Sequence, residues 1–177
     1  MKNPEILIFL SLAAALLLCG CGLGEPSLAG KSLKFETTDI SGNPVSSEDL
    51  FTGHEITMLN LWGTWCDPCI QELPDLNKVN EQLASMDGAV VGLLNDGKGF
   101  NDVELARDLI AENEVRYLNI IAPENMSELI QQRYYPMTVF VNREGVVIGN
   151  TLLGTPGKRY IVDYYVQAAE EALRSVN

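Results

Sequence analysis

Apolar residues fall into two kinds of segment along this chain. A mostly apolar run at 56–62 and a continuous apolar run at 89–94 are typical of strands buried on both faces of a sheet. Between them, at 68–85, apolar residues recur every three or four positions, namely Ile70, Leu73, Leu76, Val79 and Leu83. That spacing predicts a helix with one buried side. The alternation of strand and helix predicts an α/β sandwich in which helices flank a central mixed β-sheet.

Shorter patterns predict further elements on either side of this core. A strand-like segment, Leu33 to Ile40, precedes a turn, and Ser46 or Ser47 is placed to cap a short helix ending near Leu50. The remaining predictions are a helix from Val103 capped by Asn101 or Asp102, a strand at 117–121, a short helix at 124–133, and a hairpin of 137–141 with 146–148.

The last helix is expected to begin at Thr155-Pro156. A capping residue followed by proline is a favoured start, because the first turn of a helix needs no backbone N–H from the proline. Its buried side is expected to hold Ile161, Tyr164, Tyr165, Ala168 and Ala172.

The N-terminus has the features of an export signal rather than of a folded domain. Lys2 precedes an apolar run, 6–18, that is too short to span a bilayer. The run ends at Leu18, and Leu18-Cys19-Gly20-Cys21 resembles a bacterial lipobox, in which Cys21 is lipidated after cleavage. A plain signal peptide with incidental cysteines is the alternative. The expected organisation is a lipoprotein signal at 1–21, a flexible tether at 22–32 and one folded domain at 33–177.

Composition narrows the class of protein. Apolar residues make up 46% and charged residues 20% of the 177 positions, which is the balance of a globular domain. The net charge of −12 argues against nucleic-acid binding, which needs a basic surface. We expect a monomer.

The candidate chemistry lies in two cysteines, Cys66 and Cys69, at the predicted junction of the 56–62 strand with the following helix. A thiol at a helix N-terminus faces free N–H groups, which stabilise the reactive thiolate. If Cys19 is removed and Cys21 lipidated, only this pair remains of the four cysteines, which excludes a disulfide framework. His54 is the single histidine, so a four-ligand zinc site cannot be assembled. A redox-active pair is the prediction, and a structural local disulfide is the alternative.

The motif around this pair carries a family resemblance. Trp65-Cys66-Asp67-Pro68-Cys69 followed by Glu72-Leu73-Pro74 resembles the thioredoxin superfamily, and within it the extracytoplasmic TlpA/ResA-like thiol-disulfide oxidoreductases. The resemblance implies a thioredoxin-like sandwich with an N-terminal β-hairpin and a central helix insertion. It also implies that no cofactor or metal is needed beyond the redox-active disulfide.

Catalytic roles are expected for three residues. Cys66 is the expected nucleophile and Cys69 the residue that resolves the mixed disulfide. Glu72 lies one helical turn after Cys69, where a partly buried carboxyl would have a raised pKa and exchange protons with the thiols. An ordinary first-turn acid, favoured by the helix dipole, is the alternative. Asn60 stands where general thioredoxins carry a buried aspartate. Asp67 adds negative charge, so we expect a reducing protein.

Substrate contacts are expected from three further residues. The resemblance makes Tyr135–Pro136 a candidate cis peptide opposite the cysteines, with Tyr135 offering backbone hydrogen bonds to the substrate. Trp65 is expected to be exposed as a docking surface, and Trp62 to lie in the core.

Three functions remain open. The leading one is a lipid-anchored disulfide reductase at the extracytoplasmic face of the bacterial cell membrane, acting on exported proteins such as apocytochrome c. The resemblance implies a membrane electron donor of the CcdA/DsbD type. The alternatives are a peroxiredoxin-like thiol peroxidase, although the Pro-x-x-x-Thr-x-x-Cys loop is missing, and a noncatalytic binding lipoprotein.

Overall fold

The computed structural model describes residues 28–95, 103–130 and 134–176. The predicted signal peptide, Cys21 and the caps at 101–102 lie outside these residues. The strands are β1 (Glu36–Thr38), β2 (Pro44–Ser46), β3 (Ile56–Trp62), β4 (Gly88–Leu94), β5 (Leu118–Ile121), β6 (Met137–Asn142) and β7 (Val147–Leu153). The helices are α1 (Ser47–Thr52), α2 (Asp67–Leu83), α3 (Val103–Glu112), α4 (Met126–Leu129) and α5 (Ile161–Arg174), with 3-10 turns at Ala84–Met86 and Lys158–Tyr160.

The main sheet has five strands in the order β5-β4-β3-β6-β7. The central strand β3 pairs in parallel with β4 and antiparallel with β6, so the sheet is mixed as predicted. All seven residues of β3 are buried, which explains why most of them are apolar. Side chains alternate between the two faces of this strand, so Met58, Asn60 and Trp62 share one face while Leu59 and Leu61 point to the other.

Each face of the sheet supports its own apolar core. One core is formed with α2 and α5, and its members include Met58, Trp62, Leu73, Leu76, Phe140, Tyr165 and Ala169. The other core is covered by the N-terminal segment and the region around α4, and its members include Leu33, Phe35, Phe51, Leu59, Leu61, Met126 and Val139. The predicted sandwich with helices flanking a mixed sheet is confirmed.

The N-terminal hairpin is also confirmed. β1 and β2 pair antiparallel, and Ser46 caps α1 by accepting a hydrogen bond from the Asp49 backbone N–H at 3.0 Å. The chain just before the hairpin pairs with β7, because Gly30 N donates to Val147 O and Val147 N donates to Lys31 O, both at 2.8 Å. Residues 30–31 of the predicted tether are therefore hydrogen-bonded to the domain.

The last helix starts later than predicted. Gly154 N donates to Pro136 O at 2.8 Å, which holds the chain beside β6 through the positions where the helix was expected to begin. The α-helical turns of α5 therefore begin at Ile161, after a 3-10 turn. Its buried residues are Ile161, Tyr165, Ala169 and Ala172, whereas Tyr164 is 39% exposed, because neighbouring helical residues point about 100° apart.

The short helix predicted at 124–133 is reduced to one turn, Met126–Leu129. Ile130 is fully buried with an extended backbone, so the chain leaves the helix there in order to place this side chain in the core. Residues 131–133 lie outside the described part of the chain. By contrast, α2 runs through Pro74 without a break.

Candidate active site

The two cysteines lie at the junction that the sequence predicts, directly after β3. Cys66 is the N-cap of α2 and Cys69 lies in its first turn, with Pro68 between them. Their sulfurs are joined at 2.05 Å, and Cys69 N lies 3.3 Å from Cys66 Sγ, to which it donates. The Cys66 sulfur therefore receives a backbone N–H at the positive end of the helix, where a thiolate is stabilised.

The two cysteines differ little in exposure. Cys66 is 4% exposed and Cys69 is fully buried. Neighbouring side chains therefore cover most of Cys66 in the disulfide form. Asp67 is exposed, as a solvent-facing acid would be.

An aromatic rim lies next to the cysteine pair, since Trp65 directly precedes Cys66. We use this name for Trp65 and Tyr135; Pro136, which follows Tyr135, is buried. Trp65 is 55% exposed, and its ring packs edge-on against Tyr135 with the ring centroids 4.7 Å apart. The Tyr135–Pro136 peptide is cis, as expected, and the Tyr135 hydroxyl donates to Asn95 O at 3.1 Å. Trp62, by contrast, is fully buried and donates to Asn119 Oδ1 at 3.0 Å.

Beneath the disulfide lies a buried polar group of four residues, which we call the Glu72 cluster: Asn60, Glu72, Thr138 and Tyr165. Glu72 is fully buried and projects from α2 one turn after Cys69. Asn60 Nδ2 donates to Glu72 Oε1 at 2.8 Å and to Thr138 Oγ1 at 3.2 Å. The Tyr165 hydroxyl donates to Glu72 Oε2 at 3.1 Å. The carboxylate of Glu72 thus receives a donor on each oxygen.

Burial raises the pKa of Glu72 above its ordinary value, because a charged carboxylate loses its hydration there. Hydrogen bonds from Thr155, Asn60 and Tyr165 oppose this rise. The single hydroxyl hydrogen of Thr155 can serve either Glu72 or the Pro156 carbonyl, which lies 3.1 Å away. The predicted raised pKa of Glu72 is confirmed, and it brings the carboxyl closer to the pH range in which thiols titrate.

The residues that the structure describes, 28–95, 103–130 and 134–176, contain no cluster of three or more His, Cys, Asp or Glu side chains able to hold a metal ion. Nor does any helix in these ranges have the length and apolar character needed to cross a membrane. The side chain of His54 lies far down the sheet from the cysteines, 3.9 Å from Asp87.

The sequence predicts no site role for two members of the Glu72 cluster, Thr138 and Tyr165. Thr138 is one polar residue within an apolar strand, and Tyr165 belongs to the apolar side of the last helix. Tyr165 is 93 positions from Glu72 in the chain, so no local spacing connects them. The one available signal is a polar residue, Thr138, inside a buried strand two positions after Pro136.

Residues 29–149 match the AhpC/TSA family. The thiol-disulfide oxidoreductase ResA of Bacillus thuringiensis subsp. konkukian is 25% identical over 136 residues, which are 73% of this chain and 72% of that protein. A Chlorobium tepidum structure assigned as the thiol:disulfide interchange protein DsbE superposes with a TM-score of 0.68 at 20% identity, covering 84% of this chain and 99% of that one. The exposed lipoprotein thioredoxin of Streptococcus pneumoniae gives 0.61 at 22% identity, covering 78% and 99%.

These likenesses agree with the architecture. The solved structures share the thioredoxin-like sandwich, and the family match runs from the segment paired with β7 into β7 itself. The chain therefore belongs to the AhpC/TSA family, within which it resembles the ResA thiol-disulfide oxidoreductases.

Proposed function

We propose that this protein is a lipid-anchored reductase of disulfides in exported proteins, with Cys66 and Cys69 as its active dithiol. The chain is a thiol-disulfide oxidoreductase of the ResA/DsbE type. One observation carries the proposal. The Cys66–Cys69 disulfide caps a helix between an exposed aromatic rim and a buried carboxyl.

The proposed reaction has two exchange steps. In the reduced protein, the Cys66 thiolate attacks one sulfur of the client disulfide, whose S–S bond breaks and whose second sulfur leaves as a thiolate. Cys69 then gives its proton to Glu72 and attacks Cys66 Sγ, which releases the remaining client sulfur. Two electrons pass to the client, and the Cys66–Cys69 disulfide forms. The structure contains the pair in this oxidised state.

Trp65, Tyr135 and Pro136 are proposed to hold the client. Trp65 offers exposed apolar area, and aromatic side chains often anchor protein contacts. Trp65 directly precedes Cys66 and packs on Tyr135, which supports the proposal that a peptide carrying the disulfide lies against both rings. The backbone next to the cis proline is proposed to hydrogen-bond that peptide.

Anchoring through Cys21 is proposed from the lipobox-like sequence and from the likeness to an exposed lipoprotein thioredoxin. Residues 30–31 pair with Val147 at the start of β7, whereas Cys66 follows the end of β3. Because β7 pairs with β6, and β6 runs antiparallel to β3, these two points lie at opposite ends of the sheet. The active site of a monomer anchored in this way would face away from its attachment point. A membrane dithiol carrier of the CcdA/DsbD type is the proposed reductant.

A thiol peroxidase is the second candidate, and the AhpC/TSA family match favours it. The loop Pro-x-x-x-Thr-x-x-Cys would require proline at Leu59 and threonine at Gly63, and neither is present. We therefore place peroxide reduction second.

The test combines insulin reduction with a peroxide assay. The wild-type protein with dithiothreitol should accelerate insulin precipitation well above the uncatalysed rate, and Cys66→Ser should return it to background. Cys69→Ala should accumulate mixed disulfides with extracytoplasmic proteins, because the resolving thiol is absent. Peroxide consumption with no insulin reduction would replace the proposal with the peroxidase.

A further inference from the structure

We propose that Tyr165, on the last helix, is a positioning residue for the proton acceptor: its hydroxyl fixes the Glu72 carboxyl beside Cys69. This inference rests on the proposed function, because it assigns a task to the group that receives the proton of Cys69. Glu72 belongs to α2 and Tyr165 to α5, and both are fully buried on the same face of the sheet.

Hydrogen bonds join the four residues of the Glu72 cluster into a chain. Asn60 uses its two N–H groups on Glu72 Oε1 and Thr138 Oγ1. Burial raises the pKa of Tyr165, and its hydroxyl interaction with Thr138 opposes that rise. Tyr165 has one hydroxyl hydrogen, and it donates this to Glu72 Oε2.

The Glu72 carboxylate receives donors from two different elements of the fold. Asn60, on β3, donates to Oε1. Tyr165 is the donor that fixes Oε2, the oxygen that Asn60 does not reach. The arrangement therefore holds Glu72 in a single orientation with its charge stabilised, although burial opposes that charge.

Among the residues that the structure describes, few other titratable groups face Glu72. Cys66 and Cys69 lie on its own helix, Tyr165 on α5, and Tyr117 in the segment before β5. Strands β3 and β6 contribute the uncharged Asn60 and Thr138, and β4 contributes no titratable side chain. Tyr117 is buried near Glu72, and its hydroxyl has no hydrogen-bond partner in the described part of the chain. It is therefore a matched control for Tyr165.

Removal of the Tyr165 hydroxyl should make the carboxylate harder to form. The pKa of Glu72, already raised by burial, would rise further, because one of the donors that stabilise the charge is lost. A carboxyl that keeps its own proton cannot accept one from Cys69. Resolution of the mixed disulfide should then slow at neutral pH and recover at higher pH.

The experiment follows the Glu72 carboxyl carbon by NMR in reduced, ¹³C-glutamate-labelled protein, with the signal assigned by its absence in Glu72→Gln. Tyr165→Phe should raise the titration midpoint by about one to two pH units, the worth of a hydrogen bond to a charged group. Tyr117→Phe should leave the midpoint where it is. In the Glu72→Gln background, Tyr165→Phe should no longer alter the pH profile of Cys66 alkylation.

An unmoved midpoint in folded Tyr165→Phe overturns the proposal, as does an equal effect of Tyr165→Phe on alkylation with and without Glu72. If Tyr165→Phe does not fold, Thr138→Val removes the hydroxyl that interacts with both Asn60 and Tyr165 and should produce a smaller upward shift; no shift overturns the proposal. Failure of the function itself looks different, because the wild-type protein would then not reduce insulin.

Discussion

The Cys66–Cys69 disulfide has two unlike surroundings. On its outer side, Trp65 is 55% exposed and packs on Tyr135, so large apolar surface faces water. On its inner side, Glu72 and Asn60 are fully buried, so polar and ionisable groups occupy the core. Ordinary domains place these two kinds of side chain the other way round.

This reversed placement of polar and apolar side chains lowers the stability of the fold at the residues that carry out the chemistry. A buried carboxylate costs free energy even when it is hydrogen-bonded, and exposed aromatic rings gain little from folding. Local departures of this kind concentrate at functional sites. The outer side fits the recognition of a peptide, and the inner side fits the handling of a proton. The predictions below disturb the inner side first and then the outer one.

The largest effect is expected from Asn60→Asp. Asn60 Nδ2 lies 2.8 Å from Glu72 Oε1, so the variant places two carboxyls in contact. Both cannot ionise, so the pKa of the pair in the folded state is raised above its unfolded value. Stability is then present below the unfolded pKa and is lost as the pH rises. We expect a loss of about 3 kcal/mol at pH 8, measured by urea unfolding, and a smaller loss near pH 4.

The double variant Asn60→Asp/Glu72→Gln is the control, because it leaves a single carboxyl in the cluster. It should recover most of the stability at pH 8. A loss that is the same at every pH, or that persists in the double variant, would point to packing rather than to charge.

A smaller effect, of opposite sign, is expected for Glu72→Gln. The pKa of Glu72 is raised on folding, so wild-type stability falls as the pH rises above the ordinary value of 4.5. Glutamine does not titrate, so the variant should be more stable than the wild type at pH 8, by less than the loss expected for Asn60→Asp, and this advantage should shrink as the pH falls toward 4.5.

The same variant should change the pH dependence of thiol alkylation, because the group that exchanges protons with Cys69 is gone. An alkylation profile identical to that of the wild type would reject the acid–base role of Glu72 and leave it as a structural residue.

The smallest effect on stability is expected on the outer side. Trp65→Ala should change the free energy of unfolding by no more than about 0.5 kcal/mol, because the ring is largely in water. Its effect should appear in the KM for insulin, raised roughly three- to tenfold, while the rate with a small aromatic disulfide stays the same. Leu118→Ala, an exposed apolar residue on β5, is the control and should leave the KM unaltered.

Local sequence was enough to predict much of the fold and part of the site. The apolar run of β3 predicts a buried strand, and the three-and-four spacing after it predicts a helix, because backbone geometry sets how side chains repeat in each. Glu72 faces the same way as Cys69 for the same reason. Cys66 lies where the strand gives way to the helix, and it is the helix N-cap. The cis peptide at Pro136 was expected from the family resemblance, not from local pattern.

Two boundaries could not be predicted in this way. Thr155-Pro156 has the sequence of a helix start, but a backbone hydrogen bond from Gly154 to Pro136 keeps this segment beside β6. Residues 30–31 have the composition of a tether, but their backbone groups complete the edge of β7. In both cases, contacts with distant parts of the chain outweighed the local preference.

The sequence by itself determined the chemistry of this protein, because a dithiol at a strand-to-helix junction needs only neighbouring residues to be recognised. The tertiary structure alone decided what surrounds Glu72. Asn60, Thr138 and Tyr165 come from two strands and the last helix, and they meet only because β3, β6 and α5 pack around one buried carboxyl. Hydrogen bonds between elements so far apart leave no periodic trace in the chain, since their geometry exists only after folding.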